Sequence, residues 1–115
     1  MTKTSLPADL QGAHFHLVGI KGTGMTAFAE ILCRAGAVVS GSDVAERFYT
    51  DAVLEAAGIA VLPFSEANIT DRIQFVVYSS AYHPDTNPDL RAAVRSGIPH
   101  MLYTEALGAY SALFY

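Results

Sequence analysis

HFHLVGIKGTGMTAFAEIL, residues 14–32, passes from an aromatic and β-branched run through a glycine loop into residues of helical period. Residues 14–20 predict a first strand, because such side chains suit a pleated, half-buried surface. From Met25 onward, Met25, Phe28, Ile31 and Leu32 fall at i, i+3, i+6 and i+7, one face of a helix, and Gly36 supplies its stop. Between the two lie Gly19, Gly22 and Gly24, residues that lose more backbone freedom on folding than any other type. A bound group would repay that cost. Gly22-Thr23-Gly24-Met25-Thr26-Ala27 fits G-x-G-x-x-[G/A] at a strand-to-helix turn, and Asp43 supplies the acidic residue expected about 20 positions on.

In that pattern Gly22 makes the tight turn, Gly24 lets the backbone approach a diphosphate, and Ala27 lets helix and strand pack closely. The N–H groups of Met25, Thr26 and their neighbours then face the anion, and the helix dipole adds roughly 0.3 to 1 kcal/mol. Lys21 lies inside the loop, where its ammonium either reaches a phosphate or points to water. Asp43 is read as an acceptor for ribose hydroxyls, with a helix cap as the plainer alternative.

Working outward, AVVS at 37–40 predicts a second strand with a polar exit at 41–43, and a helix follows over 50–57, closed by Gly58. IAVL at 59–62 predicts a third strand ended by Pro63. IQFVVY at 73–78 is continuously apolar, the pattern of a central parallel strand buried on both faces. It opens into SSAYHPDTNPD, dense in turn formers, before a helix from Pro88 to the stop at Gly97. Residues 98–103 predict a fifth strand, and Thr104 a cap for a last helix with Glu105 in its first turn.

This alternation implies right-handed crossovers. The expected fold is α/β: a Rossmann-like, three-layer domain with a mostly parallel sheet of about five strands and helices on both faces. Residues 1–13 are expected to be a tether and 14–115 the domain. Ligands of such sheets sit outside the carboxyl ends of the strands, which draws Ser79, Ser80 and His83 toward the same crevice as the glycine loop. The hydroxyls can donate to phosphate or sugar oxygens; otherwise Ser79, Ser80, Asp85 and Asn87 satisfy turn backbone. His83 is read as solvated.

The 115 residues suit one domain, and a 51% hydrophobic composition suffices for one core. Seven Lys and Arg against eleven Asp and Glu give a formal charge of −4, which argues against nucleic acid or an anionic membrane as partner. Cys33 is the single cysteine, so no internal disulfide forms, and a cytoplasmic setting is expected, with no spanning segment or secretory signal in view. Cys33 reads as core, His14 and His16 as structural, and no metal site is expected. No catalytic residue is assigned: G-x-x-x-x-G-K-[ST] does not occur, nor does a Ser/His/Asp set. Spacing alone suits equally an NAD-binding half of an oxidoreductase or a nucleotide-sensing regulatory domain.

HFHLVGIKGTGMTAFAEILCRAGAVVSGSD at 14–43 resembles the amino-terminal segment of the Mur ligase family, with its G-I-G-G-x-G-M-S-x-x-A followed by V-S-G-S-D. AAGI at 56–59, VVYSSAYHPDTNPDL at 76–90 and SGIPHMLYTEALG at 96–108 follow the same pattern in order. The resemblance is greatest to the alanine-adding branch. It implies a domain that holds the UDP part of UDP-N-acetylmuramate in an ATP-dependent ligase of peptidoglycan precursor synthesis. It also implies that ATP and Mg bind a central domain that this domain packs against, and that a third domain receives the amino acid; neither is part of this chain. The domain alone is not expected to catalyse.

By the same resemblance Gly19, Gly22 and Gly24 surround the diphosphate, with Met25 and Thr26 opening the helix behind. Ser42 and Asp43 meet the uridine, and Ser79, Ser80 and Ala81 line the opposite wall. Two positions depart from the family. Lys21 stands for a glycine, and Tyr103 for the Arg of R-A-E. The serine loop and the G-I-P stretch favour this reading over a dinucleotide cofactor.

Overall fold

The structure, a computed structural model, describes residues 6–114. Five strands, β1 (His14–Val18), β2 (Val38–Ser42), β3 (Val61–Leu62), β4 (Phe75–Tyr78) and β5 (His100–Leu102), alternate with helices. The helices are α1 (Thr23–Arg34), α2 (Thr50–Ala56), α3 (Pro88–Arg95) and α4 (Tyr103–Ser111), with short 3₁₀ turns at Glu66–Asn68 and Ala112–Phe114. All four strand pairings are parallel, in the order β3-β2-β1-β4-β5.

The sheet is buried on both sides because its central strands alternate apolar residues between two cores. Leu17 and Val77 join Phe28 and Leu32 of α1, Leu54 of α2 and Ala106 of α4. Val18 and Val76 face the other way, against Leu90 and Ala93 of α3. This is the two-faced burial that the run at 73–78 implies. The helix stops also lie as the sequence places them, with Gly36, Gly58 and Gly97 at φ +91°, +75° and +72°, the left-handed region that a side chain disfavours.

The strands expected at 14–20, 59–62, 73–78 and 98–103 are shorter, as β1, β3, β4 and β5, and three further local expectations differ. The second strand extends through Gly41 and Ser42 instead of exiting there, because β1 runs on to pair Leu17 with Gly41 and Val18 with Ser42. Gly41 is required in that place: a Cβ there would stand 2.4 Å from Ile20 Cδ1. The last helix begins at Tyr103, so Thr104 lies inside it, and Glu105 accepts a hydrogen bond from the Leu102 N–H at 2.9 Å. The opening segment, expected as a tether, is packed from Leu6 onward: Leu6, Leu10 and Ala13 belong to the larger core. There Gly12 N–H donates to the Gly36 carbonyl at 2.9 Å and Val38 N–H to the Ala13 carbonyl at 2.8 Å. Residues 1–5 of that expected tether lie outside the described residues.

Candidate functional site

Strand order reverses beside β1, which has β2 on one side and β4 on the other. A crevice opens at the carboxyl ends of two such strands. Here β1 runs into Gly19 and β4 into Ser79, and the two ends touch. A Cβ on Gly19 would lie 3.0 Å from Ser79 Cβ and 2.9 Å from the Tyr82 ring, and Gly19 has φ +83°. Neither the space nor the backbone admits a side chain.

Gly22 N–H donates back to the Gly19 carbonyl at 3.1 Å, tightening the loop, and Gly22 then serves as N-cap of α1 with no side-chain cap. The N–H groups of Thr23, Gly24 and Met25 belong to the first turn and have no carbonyl one turn back to bond. They face out of the positive end of the helix. Thr26 is different from expectation. Its N–H is used on the Gly22 carbonyl at 2.8 Å and its hydroxyl on the Ile20 carbonyl at 2.7 Å, so it braces the loop and offers nothing to a ligand. Ala27 is also misplaced by the fingerprint reading. It is exposed, and the close approach comes from Gly41 under Ile20.

Two adjoining hollows share Gly22 and Ser79. The first, about 210 Å³, lies between Gly24 and Met25 on one side and Ser80, Tyr103 and Thr104 on the other. Tyr103 takes the place expected to matter for charge. Its hydroxyl lies 2.9 Å from where a Gly24 Cβ would be, so it forms a neutral wall directly over the loop. The second hollow, about 330 Å³, is lined by Gly19, Thr23, Asp43, Ala81 and Tyr82, and by Val44, Phe48 and Tyr49 of the loop after β2.

Asp43 is buried in that second hollow, and its carboxylate is already engaged. Oδ2 accepts the Lys21 N–H at 2.8 Å; Oδ1 accepts the Val44 N–H at 2.7 Å and the Tyr82 hydroxyl at 3.3 Å. Burial, with Asp43 beside it, pushes the Tyr82 phenol up. Asp43 therefore fastens the glycine loop to both neighbouring loops. The Lys21 side chain does not point to water. Its ammonium is buried, 2.7 Å from the Glu46 carbonyl and 3.2 Å from Asp51 Oδ1. Ser42 also turns away: it is fully buried, 3.3 Å from His16 Nε2.

Of the expected site residues, Gly19, Gly22, Thr23, Gly24, Met25, Asp43, Ser79, Ser80 and Ala81 line the crevice. Lys21 lines it too, with its ammonium bonded to the Glu46 carbonyl and to Asp51. Ser79 Oγ also accepts the Ala81 N–H at 3.2 Å, and Asn87 caps α3 through the Leu90 N–H, as turn chemistry requires. His83 is exposed, its Nδ1 accepting the Asp85 N–H. Cys33 packs against the core, and burial raises its thiol pKa.

The sequence reading missed one buried polar cluster. His16 stands between Ser40, 2.8 Å from Nδ1, and Asp89, 2.8 Å from Nε2. Asp89 also accepts from the Ser65 N–H at 2.8 Å and from Asn68 Nδ2 at 3.0 Å. Burial pushes the Asp89 carboxyl up, but His16, Asn68, Ser42 and the Ser65 N–H together hold it below the ordinary value. Among the described residues, no group of three or more His, Cys, Asp or Glu is placed to hold a metal ion. No helix among them is long and apolar enough to cross a membrane.

Residues 14–115 match the family model described as Mur ligase family, catalytic domain. The chain is 51% identical over 112 residues to a UDP-N-acetylmuramate--L-alanine ligase of Treponema pallidum, covering 96% of this chain and 23% of that relative. It is 40% identical over 96 residues to the ligase of that name from Streptococcus pneumoniae, covering 84% and 21%. Among solved structures it resembles a UDP-N-acetylmuramate-alanine ligase from Thermotoga maritima, with TM-score 0.71 and 32% identity over 79% of this chain and 21% of that one. A UDP-N-acetylmuramate:L-alanyl-gamma-D-glutamyl-meso-diaminopimelate ligase from Neisseria meningitides superposes with TM-score 0.72 at 29% identity, over 80% and 29%. The chain thus spans about a quarter of the length of the curated relatives it matches.

Proposed function

The chain belongs to the Mur ligase family, and from that premise we propose that it is the nucleotide-holding domain of a UDP-N-acetylmuramate:L-alanine ligase of peptidoglycan precursor synthesis. The UDP part of UDP-N-acetylmuramate lies across the crevice, its diphosphate at the glycine loop. The observation that carries this reading is the meeting of the free first-turn N–H groups of α1 with Ser79 and Ser80 around one hollow. A diphosphate needs many donors and tolerates no carboxylate close by. Here the donors are backbone N–H groups and hydroxyls, and Asp43 is turned onto the loop backbone.

The domain binds and orients; by the family resemblance, ATP and Mg belong to a central domain against which this one packs in the whole, cytoplasmic enzyme. Titration of ¹⁵N-labelled chain with UDP, UDP-N-acetylmuramate and NADH, each alone, tests the reading. The uridine ligands are expected to move the amides of Gly22 to Met25 and of Ser79 to Ala81. Movement of those amides by NADH with none from either uridine ligand overturns it.

A further inference from the structure

Three apolar side chains of one loop stand exposed at the second hollow: Val44 at 41%, Phe48 at 40% and Tyr49 at 74%. Exposed aromatics that line a hollow beside a candidate phosphate loop call for a ligand, since a flat base gains from stacking on such rings. The loop that carries them is pinned at several points. Tyr49 hydroxyl bonds Thr23 Oγ1 at 2.5 Å, and Phe48 N–H donates to Asp51 Oδ2 at 2.7 Å. Thr50 hydroxyl donates to the Lys21 carbonyl at 2.6 Å. Lys21 Nζ reaches over from the glycine loop to the Glu46 carbonyl and Asp51, and lies 5.8 Å from the Phe48 ring centroid.

We infer that Lys21 is a latch: its buried ammonium holds the 43–51 loop against the glycine loop, so that Phe48 and Tyr49 form a preset stacking wall for the base of a bound nucleotide. The inference rests on the nucleotide reading above. It makes Lys21 a positioning residue and Tyr49 a contact residue. The chemistry supports the assignment. A lysine that gave its charge to phosphate would keep its ammonium in the open crevice, whereas this one is 8% exposed and bonded within the protein. The Phe48 N–H, against the opposing effect of burial and with help from Lys21, holds the Asp51 carboxyl below its ordinary value. Asp51 is therefore charged at neutral pH, and the latch is closed.

UDP is the probe, with two readouts in one titration: the uracil H5 and H6 protons, which report stacking, and the amides of residues 22–25, which report the phosphate end. In the wild-type chain both move. Tyr49→Ala, at a site too exposed to endanger folding, is expected to weaken UDP about 5- to 150-fold, the range for one stacked base, and to remove the upfield uracil shift. Lys21→Met is expected to reduce the uracil shift while the amides still move at saturating UDP, and to have a smaller effect in the Tyr49→Ala background than in the wild type, since only Phe48 is then left for it to position. Unchanged affinity and uracil shift in Tyr49→Ala overturns the wall. A folded Lys21→Met that loses the amide response and keeps the uracil shift overturns the latch, and returns the lysine to phosphate. Failure of UDP to move either signal in the wild type overturns the nucleotide reading itself and this inference with it.

Discussion

His16 Nε2 stands 2.8 Å from Asp89 Oδ2, with both side chains fully buried and 73 positions apart in the chain. The contact joins the central strand to the first turn of α3. Through Ser65 and Asn68 the same carboxylate also gathers the segment before β4. Taking two such groups out of water is costly, and the cost is offset only when every remaining lone pair finds a donor. Among the described residues, no buried side-chain polar atom lacks a partner.

Asp89→Asn is expected to lower stability by about 3 kcal/mol or more, because it leaves buried donors facing an amide NH₂. The effect should depend on pH. The folded carboxyl lies below its ordinary value, so its contribution is complete above the unfolded value of about 3.9 and is lost as pH falls through the folded one. Thermal melts of both proteins should differ most at neutral pH and converge below about pH 4. A gap of constant size down to pH 2 would remove the carboxylate from this role.

Gly41→Ala places a Cβ among Ile20 Cδ1, Cβ and Cγ2 at 2.4, 2.8 and 2.8 Å. Ile20 is fully buried and has no room to retreat. Overpacking of this kind costs about 1–3 kcal/mol, and a urea melt should show it as a lower midpoint with an unchanged slope. An unaltered midpoint would mean that the strand shifts to absorb the methyl group.

Asp43→Ala leaves the Lys21 and Val44 N–H groups without their acceptor and frees Tyr82. A loss of about 1–3 kcal/mol is expected for the unsatisfied donors, together with faster hydrogen exchange at the Lys21 amide. Exchange as slow as in the wild type would show that the loop keeps its shape without the carboxylate.

Gly24→Ala directs its methyl group toward the Tyr103 ring end, with contacts of 2.9 to 3.1 Å. The ring should turn aside, lowering stability and disturbing the wall of the first hollow. Combined with Tyr103→Ala, the substitution should cost almost nothing further in stability, since the obstacle is gone. UDP affinity should stay depressed in the double variant, because the methyl group still occupies the approach to the loop. Full recovery of affinity would place the whole effect in the ring.

The parts of this molecule readable from the sequence are those governed by neighbours along the chain. Val76 and Val77 announced a strand buried on both faces, and Gly36, Gly58 and Gly97 marked helix ends, because strand alternation and left-handed backbone are local matters. The crevice followed from topology, which brings Gly19 beside Ser79 in any sheet of this order. Side-chain direction was not readable. Lys21 lies among small residues and suggested a free charge, but Asp51 and the Glu46 carbonyl wait on a different loop. His16 showed no partner because Asp89 belongs to a helix most of the chain away. Ser42 reads as part of a polar exit from the second strand, yet the strand runs on through it and its side chain lies buried with His16.

The packing of Leu6, Leu10 and Ala13 sets where this domain can be cut. A version trimmed to start at His14, where the first strand begins, would uncover apolar surface of the larger core and leave the Gly36 carbonyl without its Gly12 donor. Secondary structure is therefore a poor guide to the folding unit here. Any chimera, graft or shortened form should keep the chain from ahead of Leu6, or begin with a replacement that restores two leucine-sized contacts.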